Sequence, residues 1–154
     1  MMIDQYHWIT VGGSVLLVIC AVVLHYEVLS RLQAFLGRTR LSERPRILTL
    51  IFVLLLAHIC EIWLFGAGAL LMLEIPELGG IAGLPNPTLF ETVYLSATTY
   101  STLGYGDITP VGNIRFLYGT EALTGLVLIT WSASLTFLEL QRHWRDRSGD
   151  SGQT

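Results

Sequence analysis

Tyr100-Ser101-Thr102-Leu103-Gly104-Tyr105-Gly106-Asp107 is the stretch that decides the fold. Its glycines break helical periodicity, yet on either side the chain is built to enter a membrane. Immediately before it, Thr88 to Tyr100 (TLFETVYLSATTY) has helical character but is too short to cross a bilayer. Farther out lie two apolar runs of spanning length, from about Ile47 to Leu73 and from about Phe116 to Leu140. A short helix followed by irregular backbone between two spans reads as a re-entrant loop. Such backbone survives at membrane depth only where it is buried in protein or lines an aqueous path. The arrangement therefore implies a pore.

The rest of the chain agrees with a membrane setting. Of 154 residues, 52% are hydrophobic and 14% charged, with a mean hydropathy of +0.57, a composition typical of bilayer-embedded proteins. A further apolar run, about Trp8 to Leu29, precedes the other two. It lacks the positively charged start of a signal peptide and a small-residue cleavage site, so it reads as a retained span. The net charge of −3 gives no reason to expect a nucleic-acid partner. Cys20 and Cys60 each fall inside an apolar run and are expected to be inert packing residues.

Charge distribution sets the orientation. All nine basic residues are Arg. Eight fall in two clusters, Arg31, Arg38, Arg40, Arg44 and Arg46 between the first two spans, and Arg142, Arg145 and Arg147 after the third. Basic loops stay cytoplasmic, which places the N-terminus outside and the C-terminus inside a cell (inner) membrane. Within the basic loop, Leu32, Phe35 and Leu36 fit either a short surface helix or a polar connector. Pro45, after Ser42 and Glu43, suits the first turn of the second span. Pro76 through Pro87 is turn-rich and reads as an external loop. Trp8 and Trp144 suit interfacial anchors. Gly12 and Gly13 suit either close packing of the first span or local flexibility.

A protein that passes a cation must replace its hydration shell with oxygens of similar number and dipole, and rings of backbone carbonyls do so. Turning successive carbonyls to one side requires unusual backbone angles, which glycine tolerates. Gly104 and Gly106 meet that need. Thr102 can add its hydroxyl at the inner end, Tyr105 can wedge its ring outward, and Asp107 can concentrate cations at the outer mouth and hydrogen-bond the helix behind it.

The run Ser101-Thr102-Leu103-Gly104-Tyr105-Gly106-Asp107 resembles the signature of the potassium channel pore family. The likeness takes in Thr98-Thr99 before it and Ile108-Thr109-Pro110 after it, and covers about Ile47 to Gln141. It implies that Thr102, Leu103, Gly104 and Tyr105 offer carbonyls to successive K+ sites, with Gly106 completing the filter strand. It also implies that Thr98 and Asp107 support the filter and its outer mouth, and that Gly125 stands where the family has an inner-helix hinge. One strand cannot enclose an ion, so the resemblance implies a homotetramer with closed cyclic symmetry. Leu103 departs from the family's Val or Ile and is not branched at Cβ. The Pro110 to Gly125 segment is one residue shorter than the family's spacing, and the first span is additional.

His58 and Glu61, three residues apart on one helix face, and Glu121, one turn before Gly125, are ionisable groups inside spans. A hydrogen-bonded set bracing the pore helix, a gating or pH-sensing role, and metal binding are all open, metal binding being limited by the lack of another evident ligand. Glu121 is expected to reach behind the filter and support it.

The expected fold is thus an all-α membrane protein with three transmembrane helices, a re-entrant pore helix and a selectivity-filter loop, assembled as a tetramer. Its segments are an N-terminal span (1–30), a cytoplasmic loop (31–46), a pore domain (47–141) and a cytoplasmic tail (142–154), the last expected to be solvated and too short for a ligand-binding domain. No span carries the regular Arg repeat of a voltage sensor. The expected function is passive, potassium-selective conduction, with potassium ions and the lipid bilayer as partners, no cofactor beyond the permeant K+, and no enzymatic activity. A weakly selective cation channel and a non-conducting regulatory channel subunit are the alternatives.

Overall fold

A computed structural model of the chain describes residues 5–39 and 42–150, with side chains described through residue 141 except at position 43. Arg40 and the side chains of Arg142, Trp144, Arg145 and Arg147 lie outside that description. Among the described residues four helices make the fold: α1 (Gln5–Arg38), α2 (Glu43–Leu73), α3 (Leu89–Tyr100) and α4 (Arg115–Asp150). Two three-residue strands, β1 (Gly80–Ala82) and β2 (Thr109–Val111), complete it. Three of the helices, over Gln5–Arg38, Arg44–Leu73 and Arg115–Gln141, are long and apolar enough to cross a membrane. The chain is an all-α, multi-pass membrane protein.

Each long helix buries one stripe at three- and four-residue spacing. On α1 the stripe is Thr10, Ser14, Ala21, His25, Leu29, Leu32 and Leu36. On α2 it is Leu50, Leu54, Ala57, Glu61, Phe65 and Ala69, and on α4 it is Leu117, Glu121, Thr124, Leu128, Ser132 and Leu135. The opposite faces leave Leu16, Phe52, Leu55, Leu123 and Phe137 exposed in the single chain. Such faces belong against lipid or another chain. Cys20 and Cys60 lie on these outward faces and are exposed in the single chain, so they do not pack within its own core.

The first helix does not stop where its apolar run ends. It continues to Arg38 because Leu29, Leu32 and Leu36 cluster with Leu50, Leu54 and Leu135. Leu32 and Leu36 are therefore part of a spanning helix, not of a separate surface helix or polar connector. Arg46 ties this end together. Its guanidinium donates to Glu139 on α4 (3.1 and 3.3 Å) and to the Leu36 carbonyl on α1 (3.3 Å). Beyond Gln141 the backbone stays helical to Asp150.

At the other end, α3 starts with a capping box. The Thr88 hydroxyl accepts from the Glu91 N–H while the Glu91 carboxylate accepts from the Thr88 N–H at 2.6 Å. These bonds hold the Glu91 carboxyl below the usual carboxylate range. The helix is wedged between its neighbours. A Cβ on Gly66 of α2 would lie 2.7 Å from the Val93 Cα. The antiparallel pair β1–β2, with Ile81 opposite Pro110, fastens the loop before α3 to the segment that follows Asp107. Within the expected external loop, Pro76–Leu78 also forms a 3₁₀ turn.

Candidate functional site

The segment after α3 has the backbone rhythm that a carbonyl-lined strand needs. Thr102 (φ 59°), Gly104 (φ 53°) and Gly106 (φ 76°) are left-handed, whereas Leu103 and Tyr105 between them are not. Thr102 is the sole non-glycine residue at positive φ among the described residues. For a β-branched residue that conformation costs about 1–3 kcal/mol and marks a constrained, commonly functional place. The two glycines were expected from sequence to take unusual angles; Thr102 was not.

Residues 101–107 are all exposed in the single chain, Tyr105 by 68%. They are nevertheless anchored to α3. The Thr102 N–H donates to the Thr99 carbonyl and the Gly104 N–H to the Thr98 carbonyl, both at 2.9 Å. The helix end thus hands its last carbonyls to the strand that follows it. At the far end, Tyr94 of α3 donates its hydroxyl to Asp107 at 2.8 Å, the bond to the helix behind that the sequence suggested. The Asp107 carboxylate holds the Tyr94 phenol above its usual range.

Two polar groups brace α3 from behind. Glu121 of α4 is fully buried, and one of its oxygens accepts a short hydrogen bond from the Ser96 hydroxyl. Its other oxygen and the Tyr118 hydroxyl have no partner among the described residues. Glu121 therefore touches α3 one turn before its end, rather than the strand itself. Gly125, one turn along, is in close contact. A Cβ there would lie 2.1 Å from the Tyr100 carbonyl oxygen and 2.9 Å from the Tyr100 Cγ. The position expected to be a hinge is where α4 backbone rests on the end of α3.

The second group joins all four helices. His58 and Glu61 of α2 meet as their spacing implied, with His58 Nδ1 3.1 Å from Glu61 Oε2. His25 of α1, fully buried, places its Nδ1 2.8 Å from Glu61 Oε1. The Tyr100 hydroxyl donates to Glu61 and lies 2.9 Å from His58 Nδ1. Ser132 of α4 contacts His58 Nε2 at 3.1 Å and His25 Nε2 at 3.2 Å. His25, Tyr100 and Ser132 were not singled out from sequence. His25 adds a third side chain of ligand type to His58 and Glu61, and donor atoms of these three residues lie within 4.8 Å of one another. An ionisable residue inside an apolar span is the signal by which His25 could have been found.

The model of the ion channel family matches residues 47–142, more than half of the chain. Two curated proteins are similar over shorter stretches. Protein LctB of Geobacillus stearothermophilus is 40% identical over 53 residues, which cover 34% of this chain and 40% of its own length. Protein LctB of Bacillus caldotenax is 42% identical over 40 residues, covering 26% and 30% respectively. The chain thus spans less than half the length of either relative. No solved structure matches.

Proposed function

The chain belongs to the ion channel family, and from that premise we propose that it is a subunit of a homotetrameric, potassium-selective channel. Four copies of the Thr102–Gly106 strand converge on an axis, and the carbonyls of Thr102, Leu103, Gly104 and Tyr105 replace the water around K+. The N-terminus lies outside and the C-terminus in the cytoplasm of the cell membrane.

The observation that carries this reading is the alternation of left-handed residues at 102, 104 and 106 on an exposed strand. A surface turn has no need of a strained threonine in that series, whereas a strand presenting its carbonyls to one side does. The C-terminal end of α3, which meets the strand, adds the negative pole of a helix dipole near a passing cation. Asp107 adds a carboxylate at the outer end. Leu103 is 57% exposed in the single chain, so in the tetramer its side chain packs on neighbouring subunits rather than on its own helices. Its unbranched Cβ is the feature that favours a second reading, a filter of reduced selectivity.

The test is ion flux in proteoliposomes made from the purified chain alone, comparing potassium with sodium and adding barium. Potassium flux that greatly exceeds sodium flux and is blocked by barium supports the proposal. Comparable fluxes of the two ions favour the weakly selective reading, and no flux of either refutes conduction by this chain alone.

A further inference from the structure

The buried cluster at the junction of the four helices has fewer hydrogens than its contacts call for. Its contacts form a closed ring, from Glu61 to His25, Ser132, His58, Tyr100 and back to Glu61. Each of these five contacts needs a hydrogen or another positive charge between its heavy atoms. Two neutral imidazoles and two hydroxyls carry one each, and an ionised carboxylate carries none. The ring is one positive charge short.

Ser132 shows where the deficit falls. Its hydroxyl has a single hydrogen but faces two Nε2 atoms, at 3.1 and 3.2 Å. At least one imidazole must therefore carry its hydrogen on Nε2 and donate it to the Ser132 oxygen. In its neutral form that ring then turns an unprotonated Nδ1 towards Glu61 (2.8 Å for His25, 3.1 Å for His58). Lone pairs facing lone pairs at such distances, in a site where the His25 and Glu61 side chains are fully buried, are relieved by one added positive charge between them, a proton or a metal ion.

We propose that His25 Nδ1, His58 Nδ1 and a Glu61 carboxylate oxygen form a binding site for a divalent transition-metal ion of the zinc class. With an ion on both Nδ1 atoms, both Nε2 hydrogens donate to the two lone pairs of Ser132. The Tyr100 hydroxyl then donates its hydrogen to the remaining Glu61 oxygen, while its own oxygen, 2.9 Å from His58 Nδ1, supplies the fourth ligand. Every contact in the ring is satisfied in that state. A metal-bound histidine whose other nitrogen donates to a fixed acceptor is the usual outer-shell arrangement. Imidazole with carboxylate suits zinc, whose bonds of about 2.0–2.1 Å place tetrahedral donors about 3.3 Å apart. The two Nδ1 atoms lie 2.8 and 3.1 Å from the two different oxygens of Glu61, and one donor atom from each of the three residues falls within 4.8 Å of the others, so the side chains close by a small shift onto an ion. His58, 15% exposed in its side chain, is the edge by which an ion enters. The bound ion would clamp α1 and α2 together against Tyr100, two residues before Thr102. Metal binding at this cluster is independent of conduction and is measured without it.

The experiment uses the purified full-length chain in detergent, stripped with a chelator and titrated with Zn2+ by calorimetry. His25→Gln, His58→Gln and the control His7→Ala are compared after helical content and elution volume have been checked. One saturable zinc per chain is expected, unchanged in H7A and weakened at least tenfold in H25Q and H58Q. Co2+ in place of Zn2+ is expected to give the intense visible bands of a four- or five-coordinate site in the native chain. Should either variant fail to fold, that spectrum decides. Zinc uptake unaffected by H25Q and H58Q, or absent altogether, overturns the site and leaves a proton as the cation in the ring. The weak spectrum of hydrated octahedral cobalt does the same.

Discussion

Replacing Gly125 by alanine tests whether that residue is a packing contact or a hinge. The added Cβ would lie 2.1 Å from the Tyr100 carbonyl oxygen and 2.8 Å from its carbonyl carbon. Ordinary contact begins near 3.4 Å, so α4 and the end of α3 must part by more than 1 Å. The obstacle is backbone, which no rotamer change relieves. Overpacking of this kind costs about 1–3 kcal/mol, partly offset by about 1 kcal/mol of helix propensity gained over glycine. Gly119 on the same helix supplies the control, because a Cβ there meets nothing within 4 Å. Both variants share the propensity gain, so their difference isolates the clash at about 1–3 kcal/mol. Thermal and denaturant unfolding of each, followed by helical ellipticity in detergent, is the assay, with potassium flux measured on the same preparations. G125A is expected to unfold earlier than G119A and to lose flux, since the displaced Tyr100 leads directly into the strand. Equal stability of the two variants, with flux altered only in G125A, would refute the packing argument and restore the hinge.

Three other regions yield predictions from the same geometry. Ser96→Ala strips the buried Glu121 of its hydroxyl donor and is expected to cost about 1–3 kcal/mol in unfolding. Glu121→Gln is expected to change open probability or assembly stability; a variant identical to the native channel in selectivity, open probability and tetramer stability would remove Glu121 from any supporting role. The Glu91 carboxyl is held low by the Thr88 bonds, so its capping contribution is full above the ordinary carboxylate pKa and is lost as pH falls through the depressed folded value. Melting temperature measured against pH should show that acid loss in the native chain and not in Glu91→Gln. Tyr94→Phe removes the donor to Asp107 and should lower the potassium-to-sodium flux ratio with unfolding unchanged.

Much of this architecture was open to reading because membranes impose coarse, length-based rules. Three apolar runs, a short helix and a glycine-bearing segment follow from periodicity and span length alone. What escaped was set by contacts distant in sequence. His25 stands alone in an apolar run, and its partner Glu61 is 36 residues away, so no local spacing links them. The extension of α1 to Arg38 was hidden because span length measures the apolar run, whereas Leu32 and Leu36 are held by α2 and α4. The start of α3 was legible in Thr88 and Glu91, whose spacing is that of a capping box. The strained Thr102 was not, since threonine is a poor candidate for a left-handed residue unless its surroundings impose it. Gly125 could be located from sequence, but whether a glycine bends or merely makes room depends on its neighbour, here the Tyr100 carbonyl.

The most direct measurement is a density map of the purified protein in lipid discs containing potassium. Four chains around an axis are expected, with Thr102 to Tyr105 lining it and ion density between successive carbonyl rings. Gly104 and Gly106 pointing away from any symmetry axis, in a particle without a continuous aqueous passage, would contradict the carbonyl-lined pore.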